Sequence, residues 1–340
     1  MILTRDDSRW DEAIEKLPLE EQDIYFTSQY YGLEEAEGHG LSQMFVYGDG
    51  SGNFGIYPFL KRPIFSEGLN GQYYDIETAY GYGGPLLKEN EPQFLLKFEH
   101  AFLQYCQKEN IIAEFIRFHP LIKNEMIFKE HIQVLHNRKT VWLDLAPTIN
   151  EIWMSQISTQ NRNTIRKCQK NNLSVQISDD YDEFMEIYAE TMDKVKADSF
   201  YLFQKKYYNL IKENENYVLL NVKENGRTIA AAIFMGFGEY FHYHLSGSRK
   251  EALKLSPNNL LLWEAIRYAK EHHYKKMHFG GGLSDSTNDN LFRFKNKFSK
   301  EYGDFYIGKR VHNAEIYRKL IEEWEGEHGE KAKLFLQYRE

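Results

Sequence analysis

Cysteine is nearly absent: Cys106 and Cys168 are the only two in 340 residues, too few for a disulfide framework and suited to a reducing compartment. Long apolar runs are missing as well. The opening MILTRDDSRW carries acids where the apolar heart of a secretory signal would stand. The longest apolar stretch, near Ala230–Phe237, is too short to span a bilayer. A cytoplasmic protein without an integral membrane segment is expected. The net charge of -8 lacks the basic excess of a general nucleic-acid binder, which argues against DNA as a partner and leaves room for a local basic patch. His242 and His244 have no H-x-x-x-H or C-x-x-C beside them, and Asp285 and Asp289 lack the spacing of a calcium loop, so no metal is expected. No nucleophile elbow occurs either. Chemistry here would be direct transfer, with no covalent triad and no tightly bound cofactor.

Aromatic residues are what the chain has in plenty. Its 24 Tyr and 23 Phe favour β-rich elements and slotted ligand sites, and the length suffices for two cores. QMFVYG and NFGIYPFL alternate like strands around the turn-rich DGSGN. After them come YYDIETAYGYGGP, a helix from about Glu91 to Lys108, and the strand IIAEFIRFHP. The second half repeats this plan with YVLLNV and TIAAAIFMGF around an ENG turn, then YFHYHLSGS, a helix after Ser256, and the strand KKMHFGGG. Tyr217 answers to Met44, Gly247 to Gly84 and Lys276 to Ile112. An α+β protein follows, with two mixed αβ domains at residues 1–147 and 148–312. The tail, residues 313–340, reads as a helix with Ile316, Leu320, Ile321 and Trp324 on one face. It must bury that face, and a return to the first domain is expected.

Four motifs carry the chemical argument. In STQNRNTIRKCQKNN, Arg162, Arg166 and Lys170 fall at i, i+4 and i+8 on one helix face, with no acid nearby. That suits an anion site for a phosphate-bearing ligand; a solvated face is the alternative. Ser256-Pro257-Asn258-Asn259 marks a helix start with Ser as N-cap and Pro at N1. Such a terminus can hold an anion through its free N–H groups, or simply be capped. Phe294-Lys295 offers a cation beside an aromatic, able to stabilise a tetrahedral oxyanion; on composition alone it is a surface charge run. Gly280-Gly281-Gly282 allows close backbone approach at a strand end and does not continue into a G-x-G-x-x-G fingerprint. His244 suits a polar-lined cleft.

Together, TAYGYGGP, FIRFHP, NRNTIRKCQKNN, the YHLSGS–SPNNLLLWEAI pair and FGGG–FRFKNKF resemble the Fem family. These are non-ribosomal peptidyl transferases that build peptidoglycan cross-bridges, and they form a branch of the GNAT acyltransferase superfamily. The resemblance runs from about Tyr25 to Val311. It implies two GNAT-like domains, with the carboxy-terminal helix returned to the first. It places Phe294 and Lys295 by the transfer centre and the acceptor amine near Tyr80–Gly84, with Tyr82, Lys61, Arg62, His244 and Lys205 as further acceptor-side candidates. Arg162, Arg166, Lys170, Asn258 and Asn259 fall on the donor side.

The sequence also departs from the family. Where muropeptide-using members hold phosphates with a lysine and an arginine, this chain has Glu34 or Glu35 and Phe203; Lys61, Arg62 or Lys205 are the available substitutes. The Gly-containing loop that grips pyrophosphate in acyl-CoA enzymes is absent at Ser256. The implied function is transfer of an activated aminoacyl or acyl group to an amine of a cell-envelope glycan or peptide precursor. Aminoacyl-tRNA or acyl-CoA would be the cosubstrate. The alternatives are an acyl-CoA-dependent N-acyltransferase acting on an amino sugar or small amine, and a catalytically silent binding protein. The implied partners are the acceptor, charged tRNA, and a peripheral contact with a lipid-linked precursor.

Overall fold

Apolar strands recur in each half of the chain, and each set supplies the sheet strands of its own unit. The computed structural model describes residues 1–339 apart from Glu67, Lys129, His131, residues 197–201 and Thr287. Unit 1 comprises Met1–Asn137 with Phe305–Glu340, and unit 2 comprises Arg138–Asp304.

The first part of unit 1 runs β1 (Ile2–Thr4), α1 (Arg9–Glu15), α2 (Ser28–Ala36), β2 (Leu41–Gly48), β3 (Phe54–Ile64), β4 (Tyr73–Glu77), β5 (Leu86–Leu87), α3 (Pro92–Lys108), β6 (Ile111–Arg117) and α4 (Glu125–Phe128). β1, β2, β3 and β4 pair antiparallel in that order, and β4 pairs parallel with β6. β7 (Gln133–Asp144) leads into unit 2. There follow α5 (Ile149–Ser155), α6 (Thr159–Lys170), β8 (Ser174–Ser178), α7 (Tyr181–Val195), α8 (Lys205–Lys212), β9 (Tyr217–Glu224), β10 (Arg227–Phe237), β11 (Tyr240–Ser248), α9 (Pro257–Glu271), β12 (Lys276–Gly281) and α10 (Asn290–Lys295). The order in that sheet is β7-β12-β11-β10-β9-β8, antiparallel except for β11 with β12. β13 (Glu301–Val311) and α11 (Ala314–His328) complete the chain. Ile307–Val311 lies antiparallel on β6.

The division between units falls inside β7 and β13, whereas the boundaries at 147/148 and 312/313 read from sequence lie in the loops after those strands.

Helix spacing explains each core. On α3, Phe94, Phe98, Phe102 and Cys106 recur every fourth residue and pack on Phe45, Tyr57, Phe59 and Ile76. Each large side chain so buried contributes about 1.5–3 kcal/mol. On α11, Ile316 and Leu320 pack against Ile64, Ile112 and Ala113 of unit 1, while Trp324 is also buried. In unit 2, Val218, Leu220 and Val222 of β9 share a core cluster with Ala230, Ala232 and Phe234 of β10 and with Leu261, Leu262 and Ile266 of α9. The residues between them, Leu219, Ala231 and Ile233, are buried too, as central strands covered on both faces require. α7 packs on β10 and β11. A Cβ on Gly247 would lie 2.7 Å from the Ile187 carbonyl oxygen, so the glycine lets helix and strand approach.

Candidate active site in the second unit

β11 and β12 begin as parallel neighbours and then part. Tyr240, Phe241 and His242 face Lys276, Met277 and His278, and the register ends there. Each strand keeps its outer partner: β11 stays on β10 to Ser248, and β12 stays on β7 to Gly281. Both carry an extra residue where they separate. His244 is skipped between Leu245↔Ile233 and Tyr243↔Phe234, and Phe279 is skipped between His278↔Trp142 and Gly280↔Val141. Bulges bend strands and increase their twist. Gly280, at φ +77°, takes the backbone conformation that the bend in β12 needs.

Lys295 stands at this opening. It ends α10, a short helix whose N-cap is Asp289, with Oδ1 accepting from the Phe292 amide at 2.8 Å. The lysine is 8% exposed. Its Nζ donates to the Gly281 carbonyl at 2.7 Å and lies 5.9 Å from the centre of the Tyr243 ring. Burial pushes the Lys295 ammonium down to about 7; the charge of Asp289 opposes this and that of Arg138 adds to it. The expected surface charge run is therefore, at Lys295, a buried amine. Phe294 packs against the unit 2 core and meets Phe298 edge-on at 5.6 Å. Arg138 gave no signal in the sequence. It lies far from the FRFKNKF motif along the chain, and no local pattern links the two.

The basic helix forms as α6, capped by Ser158, but its cations divide. The Arg162 guanidinium donates to the carbonyls of Trp153, Met154 and Ile157 at 3.1, 3.1 and 2.7 Å, and to Thr159 Oγ1 at 3.1 Å. It closes the end of α5 and is engaged there. Arg166 and Lys170 remain exposed, with the Arg166 guanidinium 5.5 Å from the centre of the Trp153 ring.

Pro257 opens α9 as expected, but Ser256 is left-handed at φ +57° and its hydroxyl does not cap. A left-handed backbone turns the side chain away from the first-turn amides. Asn259 is 8% exposed and donates to Asn161 Oδ1 at 2.7 Å, tying α9 to α6. It is an internal strut between the two helices. Asn258 is half-buried and its Oδ1 has no hydrogen-bond partner.

His244 Nε2 lies 2.6 Å from the Tyr207 hydroxyl. Burial, then the charge of His242, pushes His244 down to about 3, so the ring is neutral at physiological pH. Phe203 stacks on Tyr207 at 4.2 Å. Lys205 pairs with Asp182 at 2.8 Å on the surface.

In unit 1 the proposed substitute cations are engaged. Lys61 is 7% exposed, pairs with Glu109 at 2.9 Å and lies 4.0 Å from the centre of the Tyr74 ring. Arg62 pairs with Asp75 at 2.8 Å and with Glu77. Asp75 also holds Arg339 at 2.8 Å and accepts from the Tyr338 hydroxyl at 2.9 Å. Both cations are held in ion pairs of the fold. The Tyr80 carbonyl accepts from Tyr30 at 2.6 Å, and the Tyr80 amide donates to Glu34 at 3.4 Å. Tyr82 is 8% exposed, edge-on to Tyr25 and to Phe305 at 5.2 Å each, so its ring is mostly packed into unit 1.

Residues 159–296 match the family model described as an acetyltransferase (GNAT) domain. No curated protein matches the chain by sequence. The crystal structure of FemX superposes with a TM-score of 0.72 at 15% identity, covering 94% of this chain and 98% of that one. The chain has a Fem-like GNAT fold. A C-terminal domain assigned to a lysylphosphatidylglycerol synthetase of Agrobacterium fabrum superposes on this fold with a TM-score of 0.56 at 13% identity, covering 90% and 93%. The L-PGS structure from Bacillus licheniformis gives 0.54 at 16% identity, covering 83% and 91%. The Fem-like fold is thus α+β, with two GNAT-like mixed units. Among its described residues no helix is long and apolar enough to cross a membrane.

Proposed function

We propose that this protein is a cytoplasmic N-acyltransferase. It would move an activated aminoacyl or acyl group onto an amine of a cell-envelope glycan or peptide precursor. The observation that carries this reading is the parted β11–β12 pair with Lys295 at its mouth. Strand edges that no longer pair with each other can receive an extended, amide-bearing donor arm by main-chain hydrogen bonds. A positioned Lys295 would then meet the oxyanion that forms on the acyl carbon, an effect worth roughly 10²–10³ in rate. Phe294 would hold the turn carrying it. Arg166 and Lys170 are the exposed cations left to take donor phosphates, with Asn258 beside them at the start of α9.

Aminoacyl-tRNA is the favoured donor, supported by the likeness to FemX and to the lysylphosphatidylglycerol synthetase domain and by the acid-free face of α6. One observation favours acyl-CoA instead: the start of α9 has no side-chain cap and no acid in its first turn, which suits a pyrophosphate. With Lys61 and Arg62 engaged, the acceptor is an amine that these two residues do not grip through phosphates.

The deciding experiment offers charged tRNA and acetyl-CoA separately, with an amine-bearing precursor, and follows amide formation. Transfer from tRNA that falls steeply with added salt supports the favoured donor. Salt-insensitive transfer from acetyl-CoA supports the second. Ligand binding without transfer from either would leave a silent binding protein.

A further inference from the structure

Two neighbouring carbonyls at the end of β12 each hold a cationic side chain. Gly281 O accepts from Lys295 Nζ at 2.7 Å, and Gly282 O accepts from Arg138 Nη1 at 2.8 Å. Gly281 makes this possible, because a Cβ there would lie 3.0 Å from Arg138 Cδ; the arginine's stem runs across the bare face of the glycine. The two side chains come from different elements, Arg138 from β7 and Lys295 from the end of α10. The charged groups that act on Lys295 are Asp289 and Arg138. Among the described residues no carboxylate lies within ion-pair distance of Nζ, since Asp289 directs its oxygens to the amides of Phe292 and Leu283 at 2.8 and 3.1 Å. A buried ammonium with one neutral acceptor and a guanidinium as neighbour is disfavoured against the free amine.

We propose that Lys295 is a proton carrier in acyl transfer and that Arg138 is the positioning residue that keeps it in the free-amine form between turnovers. The proposal rests on the acyl-transfer reading above. As the acceptor nitrogen forms its bond to the acyl carbon, the Lys295 amine takes one proton from that nitrogen and becomes an ammonium facing the oxyanion. As the carbon–oxygen bond to a ribose, or the carbon–sulfur bond to a thiol, breaks, the same proton passes to the leaving atom. The products are an amide and a free hydroxyl or thiol, and Lys295 is an amine again. Arg138 touches no reacting atom; its fixed charge sets the balance of Lys295 between amine and ammonium.

The test combines a charge readout with kinetics. In the ligand-free protein, an NMR titration of the Lys295 side chain, assigned by loss of its signal in Lys295→Arg, should show a midpoint near neutrality. Arg138→Gln should move that midpoint up by about one unit, and Arg138→Lys should restore it. With the active donor, the acid limb of kcat/KM should follow the same midpoints. Lys295→Arg, a permanent cation, should lose at least about 100-fold.

A midpoint above about 9.5, in the ordinary lysine range, would overturn the proposal. So would a midpoint indifferent to Arg138→Gln, or near-normal turnover by Lys295→Arg, which would assign Lys295 a purely electrostatic role. Absence of transfer from every donor overturns the acyl-transfer reading and the carrier role together. The NMR midpoints would still show whether Arg138 controls Lys295.

Discussion

The parallel pair in unit 1 stays closed where its counterpart in unit 2 opens. β4 and β6 pair through Glu77↔Phe115, and the chain beyond continues the seam. The Thr78 amide donates to the Phe115 carbonyl at 3.1 Å, the Arg117 amide to Thr78 Oγ1 at 3.0 Å, and the Gly83 amide to the Arg117 carbonyl at 2.7 Å. Gly83 and Phe118 then form a further parallel bridge. In unit 2 the matching strands stop pairing after His242 and His278. The helix starts differ in the same sense. Glu91 stands at the N-cap of α3 and would repel an anion, whereas the start of α9 carries no acid in its cap or first turn. One plan has thus been used as a sealed scaffold in unit 1 and as an open site in unit 2, and the cations follow suit. Lys61 and Arg62 are locked into ion pairs of the scaffold, while Lys295, among the described residues, has no carboxylate within ion-pair distance.

The comparison can be broken at several points. Asp75→Ala should have the largest effect, because it leaves Arg62 and Arg339 short of a fully buried partner. A loss of about 3–5 kcal/mol in denaturant unfolding is expected, and a loss below about 1 kcal/mol would mean that these cations are not structural. Lys295→Ala should cut turnover at least about 100-fold, with an unchanged circular dichroism spectrum; normal turnover would separate the opening from the chemistry. Thr78→Val removes one hydrogen bond from the unit 1 seam. It should cost about 1 kcal/mol and speed hydrogen exchange at the Arg117 amide; unchanged exchange would show that the seam does not depend on that hydroxyl. Lys205→Ala, which breaks an exposed pair, should leave the melting temperature unchanged within error.

A pH series sharpens the same contrast. His244 is depressed to about 3 from a usual value of 6.5, so between those values the unfolded chain binds the proton and the folded chain does not. Stability should therefore fall as pH drops through that window. His244→Phe should flatten part of the fall, and an equal slope in both proteins would count against a neutral buried ring.

Much of the fold was legible because its signals are local. Alternation marked β2 and β3, apolar segments around an ENG turn marked β9 and β10, the Pro-led starts of α3 and α9 fell within a residue of their places, and the second half could be laid on the first. The site was legible only in part. YFHYHLSGS reads the same whether or not its neighbour pairs with it, since side-chain alternation reports burial and says nothing of which backbone edge is occupied. Arg62 was offered as a phosphate ligand because its partners are spread along the chain, at Asp75 and Glu77 and in the Tyr338–Arg339 segment beside Asp75. The engagement of Arg162 was hidden for a different reason. Even spacing of cations along a helix shows which face they share, but the carbonyls at the end of α5 were free to claim the first of them. Ser256 had the right identity for a cap and the wrong backbone conformation.

The last strand and last helix of unit 1 arrive only after all of unit 2 has been made. During synthesis, therefore, the edge of β6 waits without Ile307–Val311 while the next 167 residues, 138–304, leave the ribosome. An unpaired central strand is a template for the wrong neighbour, and nascent chains are most exposed to such pairing when their closing segment is still to come. Production of this protein thus depends on the late completion of its first unit. Chains cut short before Phe305 should collect as aggregates even though the whole of unit 2 is present.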